Sequence, residues 1–152
     1  AIPAPVMSEI TRGVISPAAI LPPITTTATL TTPIALQGPL TFVGLKFYTD
    51  ETGTEVEGWW QVTATPITRP LSLMAHWLTA AGETLAIADG LGVAPVLLQP
   101  GDVIVQRHRF ANLWPTADQR LRIGAYWLDT MERWPVAGAV EADAIFVRVQ
   151  QP

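Results

Sequence analysis

Between Leu71 and Val149 the chain is a series of short apolar-alternating runs broken by Gly, Pro and Asp. Ser72-Leu73-Met74-Ala75-His76-Trp77-Leu78 leads through Ala81-Gly82-Glu83 into Thr84-Leu85-Ala86-Ile87. Gln99-Pro100-Gly101-Asp102 then opens Val103-Ile104-Val105. Period-two alternation with turn residues between the runs is the pattern of antiparallel strands that bury one face. No segment sustains a helical period, so a helical architecture is excluded.

The same reading extends upstream. Leu40 to Tyr48 is a strand with Val43, Leu45 and Phe47 on one face and Phe42, Lys46 and Tyr48 on the other. Asp50-Glu51-Thr52-Gly53 is a turn. Val56 to Thr65 is a second strand, in which the neighbours Trp59 and Trp60 face opposite sides. Asp102 to Phe110 places Val103 and Val105 on one face, with Ile104, His108 and Phe110 on the other. Leu121, Ile123, Ala125 and Trp127 alternate with Arg122, Gly124, Tyr126 and Leu128, and Ile145, Val147 and Val149 share a face of the last run. The expected fold is all-β: a jelly-roll-like or Greek-key β-sandwich of about seven or eight antiparallel strands. Leu73, Ala75, Ile87, Val103, Val105, Ile123, Ala125, Ile145 and Val147 are its expected inter-sheet core.

Residues 1–36 differ from 37–152, which hold the sandwich. Pro3, Pro5, Pro17, Pro22, Pro23 and Pro33 lie there with the Thr-rich run from Thr25 to Thr32, and both residue types disfavour helix. The charged residues are Glu9 and Arg12. A free tail is usually polar and charged, whereas this one carries Val14, Ile15, Ile20, Leu21, Ile24, Leu30, Ile34 and Leu36. It reads as an extended arm lying on a surface, its own domain's or, by preference, another chain's. A flexible linker is the alternative.

With 152 residues the chain makes one domain. Only 14% of residues are charged, against about 25% in ordinary globular chains. Either much of the surface is neutral, or a partner covers part of it. The net charge of −4 and the lack of a basic stripe exclude a nucleic-acid footprint. The absence of cysteine excludes disulfides, thiolate metal sites, iron–sulfur clusters and covalently attached haem. No apolar run approaches the roughly 20 residues of a membrane helix; the stretch Gly13 to Ile24 is broken by Pro17, Pro22 and Pro23. The opening Ala1-Ile2-Pro3-Ala4-Pro5 suits a processed chain or a fragment boundary.

Several motifs carry a resemblance. They are His76-Trp77-Leu78 before Gly82, then Asp89-Gly90, Leu98-Gln99-Pro100-Gly101-Asp102 and Gln106-Arg107-His108. Gly124-Ala125-Tyr126-Trp127-Leu128-Asp129 and Glu132-Arg133-Trp134 follow. In this order they resemble the β-sandwich domain at the C-terminal, extracytoplasmic end of bacterial membrane glycosyltransferases that use lipid-linked sugars. Stand-alone copies occur in exported proteins of filamentous phototrophic bacteria. The likeness covers about two-thirds of the chain, from Leu40 to Val149. It departs at Leu98, where the family pattern has Trp, and at Gln106, where it has Asp. The resemblance implies an extracytoplasmic accessory domain without assigned chemistry, and fold-level likeness does not carry function.

His76, Asp89 and His108 invite a reading as two histidines and a carboxylate around a metal. The bland reading is a sandwich histidine bonded to a loop carbonyl, and it is preferred because no His-x-His or His-Glu-x-x-His spacing supports a metal. Ser8, Ser16 and Ser72 lie in no Gly-x-Ser-x-Gly nucleophile motif. Glu57, Glu83, Asp89 and Asp102 could pair as glycosidase carboxylates, but most sit in turns, where acidic residues are common anyway. Gly90-Leu91-Gly92 lacks the helix a phosphate loop needs. The better functional lead is the set of six tryptophans, whose faces stack on sugar rings. Most should serve the core, leaving Trp114 and one of Trp59 and Trp60 as sugar platforms. The expectation is therefore a non-enzyme with no catalytic residue, metal or cofactor. It is read as an extracytoplasmic structural subunit packed against other protein chains of a membrane-associated assembly. A glycan-binding module using Trp59, Trp60 and Trp114 is the alternative.

Overall fold

The computed structural model describes residues 8–11, 27–116, 118–137 and 142–148, with side chains from residue 33 onward. Among these residues nine strands form two antiparallel sheets: β1 (Ser8–Thr11), β2 (Thr27–Ala35), β3 (Leu40–Asp50), β4 (Gly53–Val62), β5 (Leu71–Leu78), β6 (Thr84–Ile87), β7 (Val103–Ala111), β8 (Arg120–Trp127) and β9 (Ile145–Arg148). The five-stranded sheet runs β1-β7-β4-β3-β2 and the four-stranded sheet β6-β5-β8-β9. The central pairs, β4 with β7 and β5 with β8, join strands distant in sequence. The chain is thus a Greek-key-like sandwich rather than a meander.

The turns follow the local chemistry. Asp50 accepts hydrogen bonds from the Thr52 backbone N–H at 2.7 Å and the Thr52 hydroxyl at 2.6 Å, closing β3 onto β4. Gly53 then adopts φ +145°, a value that side-chain-bearing residues rarely take. Asp102 accepts from the Gln99 N–H at 2.8 Å and sets the entry to β7.

Both sheets face one core. Leu40, Phe42, Leu45, Phe47, Val56, Trp60, Val62, Ile104 and Phe110 come from the larger sheet, and Leu71, Leu73, Ala75, Trp77, Leu121, Ile123, Ala125 and Ile145 from the smaller. Trp77 meets Phe110 edge-on across the layers at 5.3 Å between ring centroids. Burying each large side chain contributes roughly 1.5–3 kcal/mol.

Four expectations need correction. A β-bulge between Phe42 and Gly44 in the pairing with β4 inserts an extra residue. Phe42 consequently joins Leu45 and Phe47 inside, with its ring 4.9 Å from Trp60, and Val43 leaves the core. Val103 and Val105 are buried but lie on the outer face of the larger sheet, and Ile104 points inward. Pairing of Trp60 with Ile104 and of Trp59 with Val105 sets this register, because apolar residues occupy both faces at the start of β7. Ile87 is exposed, since its pairing with His76 turns it outward. Finally, the described parts of the expected arm are strands of the chain's own sandwich: β1 flanks β7 and β2 flanks β3. The sheet therefore begins before residue 37. The remainder of the arm, 1–7 and 12–26, and Val149 lie outside the described residues.

Candidate functional site

The outer face of the four-stranded sheet carries a polar cluster. Leu71, Leu73, Ala75 and Trp77 of β5 face the core, so Ser72, Met74 and His76 face outward. Register places Ser72 beside Tyr126, Met74 beside Gly124 and His76 beside Arg122. One cross-strand row reads Ile87, His76, Arg122, Phe146, one residue from each strand. Past β6 the backbone stays against β5 through Ala88 N–H to Ala75 C=O at 2.9 Å and Gly90 N–H to Leu73 C=O at 3.0 Å. That edge pairing swings Asp89 onto the face.

Asp89 is the hub. Its Oδ1 accepts the Ala75 backbone N–H at 2.9 Å and its Oδ2 the Tyr126 hydroxyl at 3.1 Å. His76 Nε2 lies 3.1 Å from Oδ1 and 3.3 Å from Oδ2. Arg122 points Nε and a terminal nitrogen at His76 Nδ1, at 3.1 and 2.8 Å, and also donates to the Thr84 hydroxyl. A guanidinium only donates, so Nδ1 is the acceptor and Nε2 carries the proton given to Asp89. The result is a chain from Arg122 through His76 to Asp89.

The electrostatics follow from this wiring. Partial burial pushes the Asp89 carboxyl up, but the bonds from His76, the Ala75 N–H and Tyr126, with the attraction of His76, hold it below its ordinary value. Tyr126 is raised by partial burial and by the neighbouring Asp89 charge, against a bond from Ser72. Arg122 is lowered by burial and then by the like charge of Arg133, against Asp143 and Asp89.

A tight turn completes the rim. Met131 N–H donates to Trp127 C=O at 2.7 Å, and Met131 sits at φ +61°, a conformation costly for a long side chain. Met74, His76, Ile87, Asp89, Tyr126, Met131 and Arg133 enclose a pocket of about 270 Å³.

The structure brings His76 and Asp89 together but not His108. His108 belongs to β7 of the other sheet, where it is buried with Nδ1 2.6 Å from the Ala88 carbonyl. Burial lowers its pKa, against that bond and the Asp89 charge. Both nitrogens of His76 are engaged, so the three residues are not one ligand set. Among the described residues no group of three or more His, Cys, Asp or Glu could hold a metal ion. Arg122, Tyr126 and Arg133 were not anticipated as members of the site. The alternation put Arg122 and Tyr126 on one face, yet only the pairing of β5 with β8 sets them against His76.

The tryptophans do not form a platform. Trp60 is fully buried in the core, which corrects its assignment as a sugar-stacking residue. Trp59 lies on the outer face beside Val105, half-buried, with its Nε1 buried and unpaired among the described residues. Trp114 is 43% exposed and donates Nε1–H to the Asp50 carbonyl at 2.8 Å. That carbonyl belongs to the turn before Gly53, about 20 Å along β4 from Trp59.

No protein-family model, curated protein or solved structure matches this chain.

Proposed function

We propose that the chain is a non-catalytic interaction module, packed as a structural subunit of a larger membrane-associated assembly through the outer face of its four-stranded sheet. The observation that carries this reading is a set of large apolar side chains left bare on one face. Ile87 is 63% exposed, Met131 65% and Phe146 55%. Ile87 and Phe146 end the same cross-strand row, and Met131 borders the same pocket as Ile87. Scattered exposed apolar residues are ordinary, whereas several on one face mark a contact surface. The polar groups between them are bonded to one another, which leaves a stiff floor and no free nucleophile or base. Placement outside the cytoplasm rests on the resemblance to the extracytoplasmic domain.

Single-cysteine labelling tests the reading, because the chain has no cysteine of its own. Ile87→Cys, Phe146→Cys and a control, Glu51→Cys in the exposed turn of the other sheet, should react at similar rates with a maleimide in the isolated protein. In native membranes the first two should slow at least tenfold and the control should not. Equal rates for Ile87→Cys and Phe146→Cys in both preparations would remove the contact surface and the reading with it.

A further inference from the structure

We propose that the pocket on this face binds a small carboxylate with an apolar body. The inference goes beyond the assembly reading and does not depend on it. It follows from asking which groups lining the pocket have hydrogen-bonding capacity left. Asp89 already accepts from Ala75, His76 and Tyr126. His76 has both nitrogens engaged, and the Tyr126 hydroxyl donates to Asp89. Arg133 differs. Its recorded partner among the described residues is Asp143, at 3.7 Å, an ion pair outside hydrogen-bond distance with both side chains in contact with solvent. Its planar fork makes no hydrogen bond to Asp143, so an incoming carboxylate has only a solvent-exposed charge contact to displace, and a carboxylate is the anion that fork matches bidentately.

The remaining walls are apolar and adaptable. Buried Met74 forms the floor, and exposed Ile87 and Met131 stand at the rim. Thioether side chains mould to irregular ligands. Met131, one of the lining residues, has a left-handed backbone that a methionine seldom takes, and strain of this kind clusters at ligand clamps. About 270 Å³ is just below the usual range for drug-sized ligands, so the body is a single ring or a short branched chain. Asp89 does not oppose the anion strongly. Its charge is answered by three donors and, across His76, by Arg122. The two guanidiniums repel each other, and an anion at Arg133 relieves that repulsion.

The carboxylate could belong to a free acid or to the last residue of a polypeptide, and one experiment separates these sources. The sequence holds three methionines, Met7, Met74 and Met131, so carbon-13 methyl labelling gives a simple spectrum. The isolated protein is titrated with cyclohexanecarboxylate, with the neutral cyclohexanecarboxamide, and with an N-acetylated tripeptide ending in leucine, its terminus free or amidated. The Met74 and Met131 signals should shift saturably with the acid and not with the amide. Arg133→Gln, an exposed substitution, should weaken acid binding at least tenfold, and Arg133→Lys less. Saturable shifts with the free-terminus peptide as well identify a chain end as a source; shifts with the acid alone identify a free acid; both uphold the site. No saturable shift, equal response to acid and amide, or unchanged affinity in Arg133→Gln overturns it. Because these readouts use the isolated chain, they fail or succeed separately from the labelling in membranes.

Discussion

Gly38→Ala should destabilise the fold by about 1–3 kcal/mol, the usual effect of overpacking a core. Gly38 lies in the short link between β2 and β3, against the face of Trp134. A Cβ there would stand 2.6 Å from Trp134 Cδ2 and 2.7 Å from Cζ3, with Cε3 nearer still. Carbon atoms rest at about 3.5–4.0 Å, so the indole would have to retreat by roughly 1 Å. It has nowhere to go: Trp134 is fully buried and its ring packs on Trp127 at 4.7 Å between centroids. At a tolerant site the same substitution would stabilise by about 0.4–1 kcal/mol through the unfolded chain, so the sign itself is diagnostic. For a domain of this size each kcal/mol is worth about 2–4 °C in Tm. Trp134→Leu alone should cost about 2–4 kcal/mol, softened because the indole Nε1–H is buried and unpaired among the described residues. In that background the fixed ring is replaced by a chain that can turn aside, and Gly38→Ala should become near-neutral. Urea unfolding with an unchanged m-value measures all four corners of this cycle. A stabilised Gly38→Ala, or strict additivity with Trp134→Leu, would refute the packing argument.

Two pH effects follow from the cluster and its buried neighbour. Asp89 is depressed when folded, so its contribution is complete above the unfolded value of about 3.9 and is lost as pH falls through the lower folded value; Asp89→Asn should be less stable at neutral pH and show a shallower loss in acid urea titrations. His108 is also depressed, so stability should decline as pH falls below about 6.5, where the unfolded chain takes up a proton that the folded one resists; His108→Gln should lack that slope between pH 7 and 5. In native membranes maleimide labelling of Ile87→Cys and Phe146→Cys should be slow while Glu51→Cys stays fast. Methyl spectra should register an apolar carboxylate at Met74 and Met131, and Arg133→Gln should weaken it.

The sequence by itself determined the class of fold and most of the punctuation. Period-two alternation and turn chemistry are local properties, legible without knowing any partner strand. The turn at Asp50 to Gly53, the hairpin through Gly82, the entry to β7 at Asp102, the opposed faces of Trp59 and Trp60, and the inward Leu73, Ala75, Ile123 and Ala125 all belong to that kind. Composition likewise excluded cysteine chemistry and a basic footprint without reference to structure. What only the tertiary structure decided is register. Where a run is apolar on both faces, as at Val103-Ile104-Val105, alternation does not choose the inner side, and pairing with Trp59 and Trp60 does. The bulge at Val43 and the outward turn of Ile87 are consequences of pairing too. The candidate site is largely of this second kind: the sequence singles out His76 and Asp89, but Arg122 reaches His76 across 46 positions and Tyr126 reaches Asp89 across 37. Arg122 and Tyr126 join the pair because β8 lies beside β5, a neighbour relation set by how two sheets close on one core rather than by any local spacing.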